Sequence, residues 1–201
     1  MMTVTYPVKN GLYINMTNRC PCSCTFCLRQ NADSVYGSEP LWLEREPTVE
    51  EVCDAIDKWN LSDFEEIVFC GYGEPCERLD DLLEVAKYIK SKNSIKIRIN
   101  TNGLADLIAG KSTAHRLEGV IDTVSVSLNA TDSKTYQEIV RSRFGEKSFD
   151  AMLKFTSDCT KYVPNVVMTV VDVVTSKEQQ EISREICEKI GATLRIRPYE
   201  E

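Results

Sequence analysis

Four of the chain's nine cysteines, Cys20, Cys22, Cys24 and Cys27, fall within a single short stretch. Unstrained disulfides need particular Cα separations and opposed Cβ vectors, which so tight a group cannot supply. The odd total argues the same way. Thiolates are soft ligands, so in a reducing compartment the grouping points to metal. The spacing Cys20-x3-Cys24-x2-Cys27 suits three corners of an iron-sulfur cube and leaves the fourth iron free to bind a small molecule. Two other readings stand beside it. Structural zinc normally takes a second Cys-x2-Cys pair a dozen or more residues away, which this chain lacks. An electron-carrying cluster would take Cys22 or a remote cysteine as its fourth ligand.

A second constellation is Gly71-Tyr72-Gly73-Glu74-Pro75. Glycines let backbone approach a ligand closely, and Glu74 with neighbouring carbonyls can accept hydrogen bonds from an ammonium group. Cys70 and Cys76 flank this segment as packed thiols or as donors of hydrogen or an electron. Cys53, Cys159 and Cys187 fall among apolar residues at helical spacing and read as buried thiols. His115, the only histidine, sits in a polar stretch and reads as solvated, so a Ser-His or Cys-His nucleophile has little support.

The elements that must position these groups alternate. Residues 12–16, 66–70, 95–100, 123–128, 166–174 and 193–197 read as strands. Helical spacing marks residues 48–59, 79–90, 114–117, 133–140, 148–159 and 176–190. Thr48 with Glu51, and Ser176 with Gln179, have capping-box spacing. Leu82, Leu83, Val85, Ala86 and Ile89 form an apolar stripe, and Glu44, Glu46, Glu50 and Glu51 read as a solvated face. Strand-helix alternation implies right-handed crossovers and a mainly parallel sheet. Six units fall short of the eight of a closed barrel, so the expected fold is α/β, a partial (β/α)6 barrel with a six-stranded sheet in one domain spanning residues 1–201. The cysteine group follows the first strand, at the end where such folds build their sites. Residues 30–47 form a long irregular loop that can cover it.

Strands covered by helices should be apolar throughout, yet several here alternate. Tyr13, Asn15 and Thr17 share one face, as do Arg98 and Asn100, then Ser125, Ser127 and Asn129, then Arg195 and Arg197. Ile97, Ile99, Val124, Val126 and Ile196 would pack against helices. Either the polar side meets solvent in an antiparallel sheet, or, as the helical connections favour, it lines a lumen for a polar ligand. Arg195 and Arg197 would suit a carboxylate or phosphate.

Asp and Glu number 31 against 24 Lys and Arg, a net charge of -7, which argues against a nucleic-acid partner. No apolar run is long enough to span a bilayer and no basic leader precedes one, so the expected location is the cytoplasm.

The run Cys20-Pro21-Cys22-Ser23-Cys24-Thr25-Phe26-Cys27 resembles the Cys-x3-Cys-x2-Cys motif of the radical S-adenosylmethionine (SAM) superfamily, including an aromatic residue before the last cysteine. Gly71 to Pro75 resembles that superfamily's Gly-Gly-Glu-Pro segment, with Tyr72 in place of the first glycine. The resemblance implies a radical SAM core with a 4Fe-4S cluster on Cys20, Cys24 and Cys27. It implies S-adenosylmethionine held among Phe26, Gly71, Tyr72, Gly73, Glu74, Asn100, Asn102, Ser127, Asn129 and Arg195. It also implies reductive cleavage of that cofactor to a 5'-deoxyadenosyl radical, fed by an external donor of flavodoxin or ferredoxin type. No catalytic residue or substrate is specified. The segment Cys70 to Cys76 and the terminal Arg197-Pro198-Tyr199-Glu200 look similar to the small TatD-associated radical SAM proteins, which implies a TatD-type hydrolase as functional partner. The alternative from another class is an iron-sulfur electron carrier or redox sensor serving such a hydrolase.

Overall fold

A computed structural model describes residues 2–30, 32–34, 37–172 and 175–198. Seven strands, β1 (Thr5–Val8), β2 (Gly11–Ile14), β3 (Glu66–Phe69), β4 (Lys96–Thr101), β5 (Thr123–Ser127), β6 (Asn165–Val171) and β7 (Thr193–Arg197), form one sheet in chain order. Strands β2 to β7 run parallel. Strands β1 and β7 are the two edges and do not pair with each other, so the barrel is partial and open.

The connections are α1 (Val49–Ile56), α2 (Leu79–Lys92), α3 (Ala105–Ala109), α4 (Ser133–Val140), α5 (Lys147–Cys159) and α6 (Lys177–Ile190). Both expected capping boxes form: Thr48 and Glu51 bond reciprocally at the start of α1, as do Ser176 and Gln179 at α6. Each satisfies backbone N–H groups that the first turn leaves unpaired, a contribution of about 1 kcal/mol. Helix α2 presents Leu82, Val85, Ala86 and Ile89, all fully buried, in one core with Ile67, Ile97 and Ile99 of the sheet. The 3-10 turn Ala114–Leu117 replaces the expected short helix. None of the described helices is long and apolar enough to cross a membrane.

Other features also depart from expectation. Strand β1 was not expected; it pairs antiparallel with β2 and carries Pro7, which an edge strand tolerates because that residue needs no ladder N–H. Helix α3 was also unexpected, being too short to show periodicity. Ile196 is 39% exposed rather than packed under a helix, because β7 is an edge. Asn15 and Thr17 brace loops instead of facing the lumen: Asn15 Nδ2 donates to the Leu41 carbonyl at 2.7 Å, and Thr17 Oγ1 bonds Glu46. Glu46, read as a solvated carboxylate, is therefore a partner of both Thr17 and Arg19. Val173 and Val174 of the expected sixth strand, and Tyr199 and Glu200, lie outside the described residues.

Candidate cluster and cofactor site

Loops leaving β2, β3, β4 and β5 converge on a cavity of about 550 Å³, a size that suits a small-molecule ligand. Cys20, Cys24, Cys27 and Phe26 line it, with Gly71, Tyr72, Gly73, Glu74, Asn100, Asn102, Ser127, Asn129 and Arg195. Every residue that the motifs single out is thus brought to one place. The cavity also takes in Cys70, whereas Cys76 is buried against β4 with its sulfur 3.6 Å from Thr101 Oγ1.

The cysteine loop is anchored by its backbone. The N–H groups of Ser23 and Thr25 donate to the Val140 and Ile139 carbonyls at 3.1 and 2.9 Å, which uses acceptors that the end of α4 would otherwise leave open. The Arg29 guanidinium donates to the carbonyls of Asn18, Tyr72 and Cys22 at 3.2–3.3 Å, locking three stretches of loop together. Cys20, Cys24 and Cys27 are half-buried, and Cys22 is only 3% exposed. A hydrogen bond from Cys22 lowers the thiol pKa of Cys20 and of Cys24 despite their burial, while Cys22 itself is raised; burial raises Cys27. Asn102 Nδ2 lies 3.9 Å from the sulfur of Cys20 and 3.6 Å from that of Cys22. Among the described residues no three His, Cys, Asp or Glu side chains are grouped to hold a single metal ion.

The glycine segment packs against the approach to that loop. A Cβ on Gly73 would stand 2.2 Å from the Thr17 carbonyl oxygen and 2.7 Å from that of Arg19, and one on Gly71 would stand 2.1 Å from Asn15 Oδ1. Both glycines therefore serve the contact between the β2 and β3 loops. Glu74 is 3% exposed. One of its carboxylate oxygens accepts from Cys76 N and Thr101 Oγ1, and the other from Asn102 N. Burial raises its pKa against these three donors. The expected partner of this carboxylate is an ammonium group, yet its first partners are the protein's own loops.

The walls come from the strands. Tyr13, Arg98, Asn100, Ser125, Ser127 and Thr169 face the cavity. Arg98 is held by a bidentate pair to Glu66 at 2.6 and 3.0 Å. Asn129 has φ +60°, and the Ala130 N–H donates to the Leu128 carbonyl at 2.8 Å, closing a three-residue γ-turn that fixes the end of β5. The Tyr136 hydroxyl is buried without a partner beside the cysteine loop, and it too lines the cavity. Sequence inspection missed Arg29 and Tyr136. Arg29 stands two residues beyond Cys27, the only local signal it had, and Tyr136 looked like any apolar position of a helix.

The donor set fits the implied groups. Soft thiols face a glycine-walled cavity, an amide nitrogen lies near two sulfurs, and an unpartnered hydroxyl lies beside them.

Comparison with known proteins points the same way. A profile of the radical SAM superfamily matches residues 14–186. A protein of Methanocaldococcus jannaschii with the provisional name of a glycyl-radical enzyme activating enzyme is 28% identical over 80% of this chain and 60% of its own length. A protein of Methanothermobacter marburgensis named as a GTP 3',8-cyclase is 32% identical over 68% of this chain and 41% of its own. The chain thus spans about half the length of the curated relatives it matches. Among solved structures, Streptococcus suis SuiB bound to S-adenosylmethionine superposes with a TM-score of 0.63 at 19% identity, over 94% of this chain and 38% of that one. That likeness is one of fold.

Proposed function

The chain belongs to the radical SAM superfamily, and from that premise we propose that it is an enzyme that cleaves S-adenosylmethionine to abstract hydrogen from a substrate. Members of the superfamily use a 4Fe-4S cluster and this cofactor. The observation that supports the proposal most is the convergence of three half-buried thiols and the Gly71 to Glu74 segment on one cavity. When bound, the cluster supplies the electron that breaks the sulfonium carbon-sulfur bond, releasing a 5'-deoxyadenosyl radical to act on substrate.

The protein's own residues would bind, orient and shield. Cys20, Cys24 and Cys27 would hold three irons, and Arg29 fixes their loop. Phe26 would lie against the adenine, while Asn100, Ser127 and Asn129 offer polar groups to the ribose and methionyl parts. Glu74 keeps the β3 and β4 loops at one separation, which leaves the backbone carbonyls beside it to meet the ammonium group. Leu41 of the long loop after the cysteines also lines the cavity, so part of that loop helps exclude water.

We also infer an external flavodoxin- or ferredoxin-type donor and, from the resemblance of residues 70–76, a TatD-type hydrolase as partner. Copurification with such a hydrolase tests the latter.

The deciding experiment is anaerobic reconstitution with iron and sulfide, then reductant and S-adenosylmethionine, with 5'-deoxyadenosine as readout. Wild type should release it and Cys24→Ala should not; a fully loaded cluster that yields none would overturn the proposal. Cys22 supports a rival electron carrier, because its sulfur sits within the same loop. In that case Cys22→Ala would lose the cluster, whereas a cleaving enzyme with three ligands keeps it.

A further inference from the structure

The cavity holds more positive charge than its own acids neutralise: Lys9, Arg29, Arg98, Arg195 and Arg197 line it against Glu65, Glu66 and Glu74. Glu65 accepts from Asn10 at the surface. Glu66 is taken by Arg98, and Glu74 by three donors from the protein. The Arg29 guanidinium is occupied by three carbonyls. A three-thiolate 4Fe-4S cluster in its oxidised resting form carries one net negative charge and S-adenosylmethionine one net positive, so these two groups cancel. Of the arginines, Arg195 and Arg197 remain. Both line the cavity, and neither side chain has a hydrogen bond or ion pair among the described residues. The Nε of Arg197 is buried outright, without a partner.

We propose that Arg197, with Arg195 beside it, is the subsite for an oxyanion of the substrate, so that the molecule acted on carries a carboxylate or a phosphate. This rests on the radical SAM function proposed above. Arg197 is half-buried and Arg195 exposed. A guanidinium presents a planar fork of donors that fits either oxyanion through two parallel hydrogen bonds, and a half-buried fork whose inner Nε lacks an acceptor is a natural place for one. Arg195, which the family resemblance gives to the cofactor, is here assigned to the substrate, because position separates the pair from Ser127 and Asn129. Ser127 ends β5 and Asn129 lies just past it, while Arg195 and Arg197 stand opposite Thr169 and Val171 on the strand beyond β6. Two strand spacings amount to roughly 10 Å. The pair also lies on the free edge of the sheet, where the open barrel gives a substrate room to enter. Burial, with Arg195 and Arg98 nearby, lowers the Arg197 pKa, a cost that an incoming anion would relieve.

The competing occupant is the carboxylate of S-adenosylmethionine itself. The test is calorimetric titration of the cluster-loaded protein, saturated with S-adenosylmethionine, with inorganic phosphate and separately with acetate. S-adenosylmethionine affinity is measured in parallel by equilibrium dialysis. In wild type one or both anions should bind, and Arg197→Gln should weaken that binding at least tenfold and much more than it weakens cofactor binding. Arg197→Lys, which keeps the charge but not the fork, should fall between them and serves if the Gln variant does not fold. Equal anion binding by wild type and Arg197→Gln overturns the proposal. So does a loss of cofactor affinity as large as the loss of anion affinity, which would give Arg197 to the methionyl carboxylate. Because anion titration needs no turnover, it can fail while 5'-deoxyadenosine is still released, and the reverse holds equally.

Discussion

The carboxylate of Glu74 accepts a 2.7 Å hydrogen bond from the backbone N–H of Asn102. The loop after β3 is thereby tied to the loop after β4 inside the cavity. The same carboxylate accepts from Thr101 and Cys76, so one buried side chain sets the spacing of the segments nearest the thiols. An amide in its place offers one acceptor oxygen and turns a donor toward a donor. Glu74→Gln is therefore expected to destabilise the cluster-free protein by about 2 kcal/mol and to weaken S-adenosylmethionine binding. Urea denaturation and equilibrium dialysis measure the two effects, and an unchanged urea midpoint would show that the loops are held by other means.

Gly73 has carbonyl oxygens where a Cβ would go, and backbone cannot swing aside as a flexible side chain can. Gly73→Ala should cost about 1–3 kcal/mol, the usual penalty of overpacking, and should reduce the iron retained on reconstitution. Gly119→Ala is a useful comparison, because nothing lies within 4 Å of a Cβ there and only its φ of +74° opposes the change. Iron content that fell equally in both variants would rule out the steric explanation.

Asp122 gives the fold a defined acid sensitivity. It joins the start of β5 to β4, accepting from the Ile97 N–H at 2.8 Å and from Lys90 Nζ at 2.6 Å. Burial acts to raise its pKa, but the hydrogen bonds from Lys90 and Ile97 prevail and the net shift is downward. A carboxyl lowered by folding contributes stability above its unfolded pKa of about 4 and loses it as pH falls through the folded value. Asp122→Asn should thus be less stable than wild type by about 1–2 kcal/mol at pH 7, and the gap should narrow at pH 3. Urea midpoints at the two pH values decide this; a gap of constant size would mean that the charge of Asp122 contributes nothing.

Tyr136 is fully buried, and its hydroxyl finds no acceptor or donor. Removing an unsatisfied buried polar group without changing shape is neutral or stabilising. Tyr136→Phe should leave the melting temperature of the cluster-free protein unchanged or raise it, by up to about 1 kcal/mol in stability. Calorimetry reads this directly, and a clear drop would reveal a bond to that hydroxyl, such as one made by an internal water.

Cys20, Cys24 and Cys27 were legible because a chelating loop is local, its ligands being separated by a few residues. Thr48 with Glu51 and Ser176 with Gln179 were legible for the same reason, since a helix cap is made within one turn. The parallel sheet followed from alternating two- and near-four-residue periodicities. Strand β1 escaped notice because Pro7 breaks the usual strand signal and only an edge position excuses it.

The sequence by itself determined the thiol spacing, the glycine segment, the alternating elements and the polar character of one side of the sheet. Tertiary structure decided how those polar groups are used. Tyr13 and Asn15 share one face by spacing, yet β2 ends at Ile14, so Asn15 braces a loop while Tyr13 lines the cavity. Glu74 turned out to be held by Thr101 and Asn102 across a gap of nearly thirty residues. Arg98 has a carboxylate partner, while Arg197 has none among the described residues. Such outcomes depend on register between strands and on how far the open barrel curves. Those are long-range properties, fixed by the packing of segments far apart in the chain, and no local spacing records them.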